Sequence, residues 1–175
     1  MDSLILAGVD EHFADFVGSD ARTDSLPGER DLNIKITSGG VTMVLKVYAD
    51  DDREWLELQD RALRHLSGTG LRTPEPLHRE IVALSDGRVM RLVSWLDGAP
   101  WSAIDPSPAQ TEALGALVAR VDRLLCDFDV TVDEAAVLQR PFRWNMMQAL
   151  DLRRSLSAIS DADVREACER TFDEF

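Results

Sequence analysis

The chain has 175 residues, of which 45% are hydrophobic and 29% charged, and its formal net charge is -13 at pH 7. This length fits one medium domain, or a small lobe joined to part of another, with enough apolar residues for a packed core. So acidic a chain lacks the basic surface that nucleic acids require, which argues against a nucleic-acid partner. The excess of acids is either an ordinary solvated surface or a field that favours a cationic small molecule.

The cysteines and the N-terminal segment carry information about the cellular compartment. Cys126 and Cys168 lie in segments with helical patterning and form no C-x-x-C pair, so we expect reduced thiols of a cytoplasmic protein. Residues 1–13 contain a short apolar patch without a preceding basic stretch or a small-residue cleavage site, which argues against a secretory signal. No apolar run approaches the length of a membrane span, so we expect no membrane partner.

The N-terminal residues predict one helix and one strand. Apolar residues recur at helical spacing within residues 10–17, which predicts a short amphipathic helix that Gly18 ends. Residues 22–27 are a candidate first strand, and this strand leads into the turn LPGERD at residues 26–31.

Residues 32–48 alternate between apolar and polar side chains on both sides of a Ser-Gly-Gly turn, which predicts a β-hairpin. The alternation places Lys46 on the same face as Val44. A lysine held there under a glycine-bearing loop can offer a fixed positive charge to a phosphate while an aliphatic neighbour packs on a base. The alternative is a strand lysine whose ammonium simply extends into solvent.

The next segment predicts a helix and a second hairpin. Residues 51–67 carry an apolar stripe at helical spacing with acids at the start, and residues 73–76 (TPEP) favour an extended connection. Residues 81–84 and 89–95 then flank an Asp-Gly turn, which predicts a hairpin. The stripe of the helix consists of Trp55, Leu58, Ala62, Leu63 and Leu66.

Beyond Pro100 the pattern is wholly helical. Ser107, Pro108 and Gln110 predict a capping box with proline at the first helical position, and Ser160 with Asp163 predicts the start of the last helix. Between them, Ala149, Leu152, Leu156 and Ile159 line another predicted helix. The stripe that we expect to be buried after the capping box consists of Leu114, Leu117, Val118, Val121, Leu124 and Leu125.

Several short motifs in a fixed order resemble the amino lobe of the aminoglycoside-phosphotransferase-like kinases, which are protein-kinase-like. The chain is most similar to the branch that includes hydroxylysine kinase and the kinase domains joined to class III aminotransferases. The resemblance implies an α+β fold, with a kinase-like N-terminal lobe over 1–97 and a hinge with part of a helical C-terminal lobe over 98–175. The motifs are LPGERD followed by Asn33, Val44-Leu45-Lys46, Gln59 with Leu63 and Leu66, Pro74 with Pro76, RLVSWLDG at 91–98, Leu114-Gly115 and Arg143-Trp144-Asn145.

The resemblance implies a nucleotide-binding role for the first hairpin and the loop before it. Lys46 would contact the α and β phosphates, and Val44 and Ile34 would touch the base, although aliphatic strand residues are core residues by default. Gln59 stands where related kinases have a glutamate that orients the strand lysine. It is either a weaker, uncharged substitute, with Glu57 or a later acid supplying the charge, or a surface amide. The loop over the phosphates, which could also be an ordinary β-turn, would consist of Pro27, Gly28, Glu29 and Arg30.

The end of the second hairpin would be the hinge. The resemblance implies that the carbonyl of Ser94 and the amide of Leu96 pair with the purine edge, with Trp95 between them and Val93 behind. The alternative is a strand end followed by an interdomain turn at Asp97-Gly98.

The residues that perform chemistry in this family are not found in the sequence. Phosphoryl transfer needs an aspartate that accepts the proton of the acceptor hydroxyl, an asparagine nearby and a second aspartate that holds magnesium. No His-x-Asp followed by Asn occurs in the 175 residues. We therefore expect the complete protein to use ATP or GTP with Mg²⁺, and this chain alone to contact only about half of the nucleotide and to transfer nothing.

Three explanations remain open at this point. The chain is the N-terminal portion of a kinase for a small amine-bearing alcohol, whose partner is the missing C-terminal lobe or a fused domain. It is otherwise a nucleotide-binding or regulatory module without catalysis, or an unrelated α+β interaction domain.

Overall fold

The computed structural model of the protein describes residues 3–28, 31–49, 53–139 and 146–174. Contacts divide the chain into two compact units, residues 1–134 and 135–175. The lobe boundary expected near residue 97 stays a prediction. Within the described ranges, no helix has both the length and the apolar character that a membrane span requires.

The first unit contains a five-stranded antiparallel sheet with the strand order β1-β2-β3-β5-β4. Both predicted hairpins and the predicted first strand are confirmed, as is the α+β class. The turn between β2 and β3 uses Gly39 and Gly40 with φ of 56° and 79°, a left-handed region that favours glycine. The strands are β1 (Arg22–Leu26), β2 (Leu32–Ser38), β3 (Val41–Tyr48), β4 (Val82–Ala83) and β5 (Val89–Ser94).

One face of the sheet packs against the N-terminal helix α1 (Ser3–His12). The prediction of a helix over residues 10–17 is wrong, because the helix begins earlier and residues 13–17 form turns in which the Phe16 amide bonds the Phe13 carbonyl. The helix packs closely on β5, since a Cβ at Gly8 would lie 2.5 Å from the Met90 side chain. The buried core on this face consists of Ile5, Val9, Phe13, Ile34, Ile36, Met43, Leu45, Val47, Val82, Leu84, Met90 and Leu92.

The other face of the sheet receives helix α2 (Arg53–Leu66), which confirms the helix predicted over 51–67. A small apolar cluster joins the helix to the sheet through Tyr48, Leu56, Ile81 and Val89. The buried face of α2 differs from the predicted stripe because it includes Leu56 and Asp60, whereas Trp55, Ala62 and Leu63 are half-buried. The helix thus carries a buried carboxylate towards the sheet.

Helices α3 (Pro108–Leu125) and α4 (Val132–Leu138) follow a 3-10 turn at Trp101–Ala103. The predicted capping box of α3 is confirmed, with the Ser107 amide donating to Gln110 Oε1 at 2.8 Å.

The predicted burial of the α3 stripe is wrong for the described residues: Val118 is 52% exposed, and Leu114 and Leu117 are also exposed. The described hydrogen bonds between α3 and neighbouring segments lie in its C-terminal half, where Arg120 donates to the Thr69 carbonyl at 2.7 Å.

The second unit contains a 3-10 helix at Met146–Ala158 and helix α5 (Ala162–Glu174). The helix predicted around Leu152 and Leu156 is therefore present, in the 3-10 form. The cap of α5 is Asp161 rather than Ser160, because the Asp161 carboxylate accepts the amides of Asp163 and Val164 at 3.0 and 3.1 Å. The motif at 143–145 lies outside the described residues.

Candidate functional site

The α2 side of the sheet brings three of the predicted site residues onto one surface. Partners across antiparallel strands point to the same face, so each row of Cα partners shares a side of the sheet. Val44 and Lys46 share this face, as predicted, and Val93 joins them. One row consists of Leu26, Asn33, Lys46 and Arg91, and the next of Asp24, Lys35, Val44 and Val93.

Ile34 does not belong to this surface. It is 6% exposed and lies in the core between the sheet and α1, opposite in register to Leu45. Because successive residues of a strand face opposite sides, Ile34 and Val44 cannot contact the same base. The expectation that Ile34 touches a nucleotide is therefore corrected.

Lys46 is half-buried, with its Nζ 5.9 Å from the centroid of the Tyr48 ring. Burial lowers the pKa of the Lys46 ammonium, the Arg91 cation lowers it further, and the Asp31 carboxylate raises it. The positive charge is thus held in a partly desolvated place between a second cation and an acid, where an incoming anion would gain more than in water.

The loop that leads into β2 closes tightly beside the row that contains Lys46. Asn33, the Cα partner of Lys46, donates from Nδ2 to the carbonyls of Pro27 and Asp31 at 3.4 and 3.3 Å. A Cβ at Gly28 would lie 2.3 Å from the Asp31 carbonyl oxygen, so this bend accepts only glycine. The loop residues Glu29 and Arg30 lie outside the described residues.

The predicted hinge lies at the end of β5, where the TPEP connection holds it. The Ser94 amide donates to the Glu75 carbonyl at 2.8 Å, and the Glu75 amide donates to Ser94 Oγ at 2.9 Å. Beyond it Trp95 is half-buried and Leu96 is 37% exposed. Pairing of this backbone with a purine stays a prediction.

A cation and an indole ring meet next to the hinge. Lys35 Nζ lies 4.5 Å from the centroid of the Trp95 ring, and Trp95 Nε1 donates to Asp97 at 2.9 Å. Because Lys35 and Val44 are Cα partners, this pair stands in the row next to Lys46. The sequence analysis did not single out Lys35.

Gln59 was expected to bond Lys46, but it bonds a different cation on the sheet. Gln59 Oε1 instead accepts Arg91 Nη2 at 2.8 Å, and the next residue, Asp60, accepts Arg91 Nη1 at 2.6 Å. Arg91 Nε donates to the Tyr48 hydroxyl at 2.9 Å. Asp60 is thus an acid later on α2, of the kind considered as a charged partner for Lys46, but it pairs with Arg91 instead.

Burial governs the titration of this cluster. It raises the pKa of Asp60, a rise that the charge and hydrogen bond of Arg91 oppose, and it raises the pKa of Tyr48. Sequence reasoning missed Arg91, although a charged residue inside the apolar strand VMRLV was a signal that a buried partner exists.

The described residues were also searched for a cluster of metal-binding side chains. Within the described part of the chain, no three side chains of His, Cys, Asp or Glu gather as metal ligands.

A cavity of about 530 Å³ lies in the second unit and includes none of the predicted site residues. Two of its arginines, Arg153 and Arg154, pair with Asp173 and Asp151. Its lining consists of Arg153, Arg154, Leu156, Ser157, Arg165, Glu169 and Asp173.

Comparison with known proteins connects this geometry to a family. The sequence model of the phosphotransferase enzyme family matches residues 26–174. No curated protein matches the chain significantly.

Solved structures of aminoglycoside phosphotransferases share the fold. The GDP complex of wild-type aminoglycoside 2'-phosphotransferase-IIIa is similar with a TM-score of 0.64 and 18% identity over 98% of this chain and 57% of that one. The GDP and kanamycin complex of APH(2")-IIia has a TM-score of 0.65 and 18% identity over 98% of this chain and 58% of that one.

A thermostable mutant of APH(4)-Ia, in ternary complex with AMP-PNP and hygromycin B, is similar with a TM-score of 0.51 and 21% identity. The match covers 67% of this chain and 38% of that one. The chain thus spans between 38% and 58% of the length of these three structures.

Proposed function

The chain belongs to the phosphotransferase enzyme family, and from this premise we propose that it is the nucleotide-binding part of a small-molecule kinase. The complete protein transfers the γ-phosphate of a nucleotide to a hydroxyl group of a small, amine-containing metabolite. Hydroxylysine, aminoglycosides and amino alcohols are the acceptor classes that we propose, and the hydroxylysine kinase branch is the proposed place within the family.

The observation that carries this proposal is the position of Lys46. Its half-buried ammonium lies on the α2 side of the sheet, next to a loop that Gly28 allows to close. A fixed cation beside backbone amides of a glycine-bearing loop is the arrangement that holds nucleotide phosphates in kinases. We propose that Lys46 contacts the α and β phosphates and that Pro27, Gly28, Glu29 and Arg30 cover them.

The base would lie further along the same face. Val44 and Val93 are Cα partners and offer an aliphatic floor beside the row of Lys46. We propose that the backbone of Ser94 and Leu96 pairs with the purine edge, while Trp95 borders the base.

The ligands bound in the similar structures support a nucleotide and an amine-bearing acceptor. AMP-PNP occupies one of these structures and GDP the others, so both ATP and GTP are candidates for this chain. Kanamycin and hygromycin B are the acceptors in two of them. The net charge of -13 is compatible with a cationic acceptor. We propose a cytoplasmic location on the basis of the cysteine usage.

Transfer itself would need groups that this sequence does not supply. The aspartate that takes the hydroxyl proton and the aspartate that holds Mg²⁺ would belong to the missing C-terminal lobe or to a fused domain. The chain alone would therefore bind nucleotide without turning it over. The second candidate is a nucleotide-binding or regulatory module that never performs catalysis.

A thermal shift experiment with matched lysine variants tests the proposal. The melting temperature is measured with increasing MgATP or MgGTP for the wild-type chain, Lys46→Ala and Lys35→Ala. A ligand at 100 times its Kd stabilises a protein by about 2.7 kcal/mol, so even a weak site is detectable at millimolar nucleotide. We expect a shift for the wild type and for Lys35→Ala and none for Lys46→Ala. Equal shifts for both variants would remove the role assigned to Lys46.

Phosphate transfer to kanamycin or hydroxylysine separates the two candidates. The kinase candidate predicts no turnover by the chain alone and turnover once the sequence that supplies the catalytic aspartates is present. A complete protein that binds nucleotide but transfers nothing would favour the module.

A further inference from the structure

The residue that contacts the α2 polar groups is Arg91, and it lies directly beside the proposed phosphate-binding lysine. We propose that Arg91 is a positioning residue for Lys46, because it occupies the α2 groups that would otherwise draw the lysine away from the phosphates. The effect of Arg91 on nucleotide affinity rests on the proposed function, in which Lys46 binds the phosphates.

The contacts of Arg91 fix its guanidinium from two elements. Its Nη1 and Nη2 donate to Asp60 and Gln59 on α2 at 2.6 and 2.8 Å, and its Nε donates to the Tyr48 hydroxyl of β3 at 2.9 Å. Arg91 is 6% exposed and Asp60 is 2% exposed. A planar guanidinium with three acceptors on its three nitrogens has no freedom left to rotate.

Lys46 and Arg91 share one aromatic ring and one row of the sheet. The two residues are Cα partners across β3 and β5. Arg91 Cζ lies 5.5 Å and Lys46 Nζ 5.9 Å from the centroid of the Tyr48 ring. A fixed cation at this distance opposes any movement of the Lys46 ammonium towards α2, and Asp31 attracts it from the loop side.

The charges of the cluster leave Lys46 available to a phosphate. The Asp60 carboxylate is directly paired with Arg91, so the two buried charges largely cancel. Lys46 consequently keeps its full charge for an anion instead of sharing it with a carboxylate on α2.

Helix α2 does not depend on Lys46 for its own position. On its exposed side, Arg61 pairs with Glu134 and donates to the Asp129 carbonyl at 2.8 Å. His65 Nε2 lies 2.8 Å from the Leu124 carbonyl. Together with the Arg91 cluster, these bonds hold the helix from two sides.

The test removes Arg91 with and without the carboxylate that it occupies, and follows Lys46 directly. Arg91→Met leaves Asp60 free to draw Lys46 towards α2, whereas Arg91→Met/Asp60→Leu removes that carboxylate as well. The matched control is an exposed pair in the second unit, Arg154→Met/Asp151→Asn. The chain has only two lysines, so acetylation across a pH range, quantified by mass spectrometry, reports Lys46 with Lys35 as internal reference. Binding of a fluorescent ATP analogue with Mg²⁺ is measured on the same proteins, and circular dichroism verifies their fold.

We expect Arg91→Met to raise the pKa of Lys46, since an unpaired carboxylate replaces a cation as its neighbour, and to weaken nucleotide binding about 10- to 100-fold. The double variant, which lacks the competing carboxylate, should bind more tightly than Arg91→Met, and the control should change neither quantity. Unchanged acetylation of Lys46 in Arg91→Met, or a double variant that binds no better than the single one, would overturn the inference. A changed Lys46 titration without nucleotide binding by the wild type would leave the positioning role standing and refute the proposed function instead.

Arg91→Lys provides the test if Arg91→Met does not fold. One ammonium keeps the positive charge but cannot fill three acceptors in a plane. Weaker binding than in Arg154→Lys would support the positioning role, and wild-type binding would overturn it.

Discussion

Removing Arg91 alone should be among the most damaging substitutions at this site. In Arg91→Met the Asp60 carboxylate, whose side chain is 3% exposed, keeps its burial and loses its ion pair. Breaking a buried pair by deleting one partner costs about 3–5 kcal/mol, a large part of the about 5–15 kcal/mol that stabilises a whole domain. With about 2–4 °C lost per kcal/mol for chains of this size, the melting temperature should fall by about 6–20 °C.

A double variant distinguishes the cost of the unpaired Asp60 charge from the cost of lost packing around Arg91. Arg91→Met/Asp60→Leu removes both charges, so it should recover at least half of the loss, although the Tyr48 hydroxyl and the Gln59 amide still lose a partner. As a control, Arg154→Met breaks a pair whose side chains are 74% and 68% exposed, and it should cost about 0–1 kcal/mol.

Urea unfolding followed by circular dichroism measures all three variants. A loss below about 1 kcal/mol for Arg91→Met would refute the reasoning, because buried charges are not that cheap to leave unpaired. A double variant as unstable as the single one would refute it equally.

Three further predictions concern the loop, a turn and the core. Gly28→Ala should weaken nucleotide binding about tenfold or more, because its Cβ would lie 2.3 Å from a backbone oxygen. Gly98→Ala, which adds a Cβ into open space, should bind like the wild type, and equal affinities for the two variants would contradict the role of the loop. Asp20→Asn should destabilise the chain at neutral pH, because hydrogen bonds from the hairpin turn lower the pKa of Asp20. The stability that Asp20 contributes is present above about pH 4 and is lost as the pH falls through its lowered pKa. The unfolding curves of the variant and the wild type should therefore converge in acid. A difference in unfolding free energy that stays constant with pH would exclude the mechanism. Phe13→Ala should cost about 3–5 kcal/mol in urea unfolding, since the ring is fully buried, and more than Phe16→Ala at a half-buried site; equal losses would show that Phe13 is not central to the core.

Local patterns predicted the sheet well. The alternation of residues 32–48 and the two glycine turns depend on near neighbours in sequence, and the structure confirms both hairpins and the shared face of Val44 and Lys46. The capping box at Ser107 is likewise local, and it is confirmed.

Features that depend on distant contacts were not predictable in the same way. Helix α1 packs through Gly8 close to Met90 of β5, 82 positions away, and the apolar spacing of residues 10–17 does not contain that information. Ile34 was assigned to the base from the family resemblance, whereas the register and the core packing show that it lies on the opposite face of the sheet.

The partners of Arg91 show why this buried polar cluster was not predicted. Asp60 and Tyr48 are 31 and 43 positions away in the sequence, so no motif of local spacing joins them. The sequence analysis therefore placed Gln59 opposite Lys46, whereas the fold places both Gln59 and Asp60 opposite an arginine.

The central claim is that Lys46 lies against nucleotide phosphates, and covalent labelling tests it most directly. An ATP analogue with a reactive acyl phosphate on its terminal phosphate acylates lysines that lie beside the phosphates, and this chain offers only Lys35 and Lys46. We predict that Lys46 is acylated and that excess MgATP or MgGTP protects it, while Lys35 shows no comparable protection. Labelling of Lys46 no faster than in the urea-unfolded chain, or labelling that nucleotide does not suppress, would contradict the account.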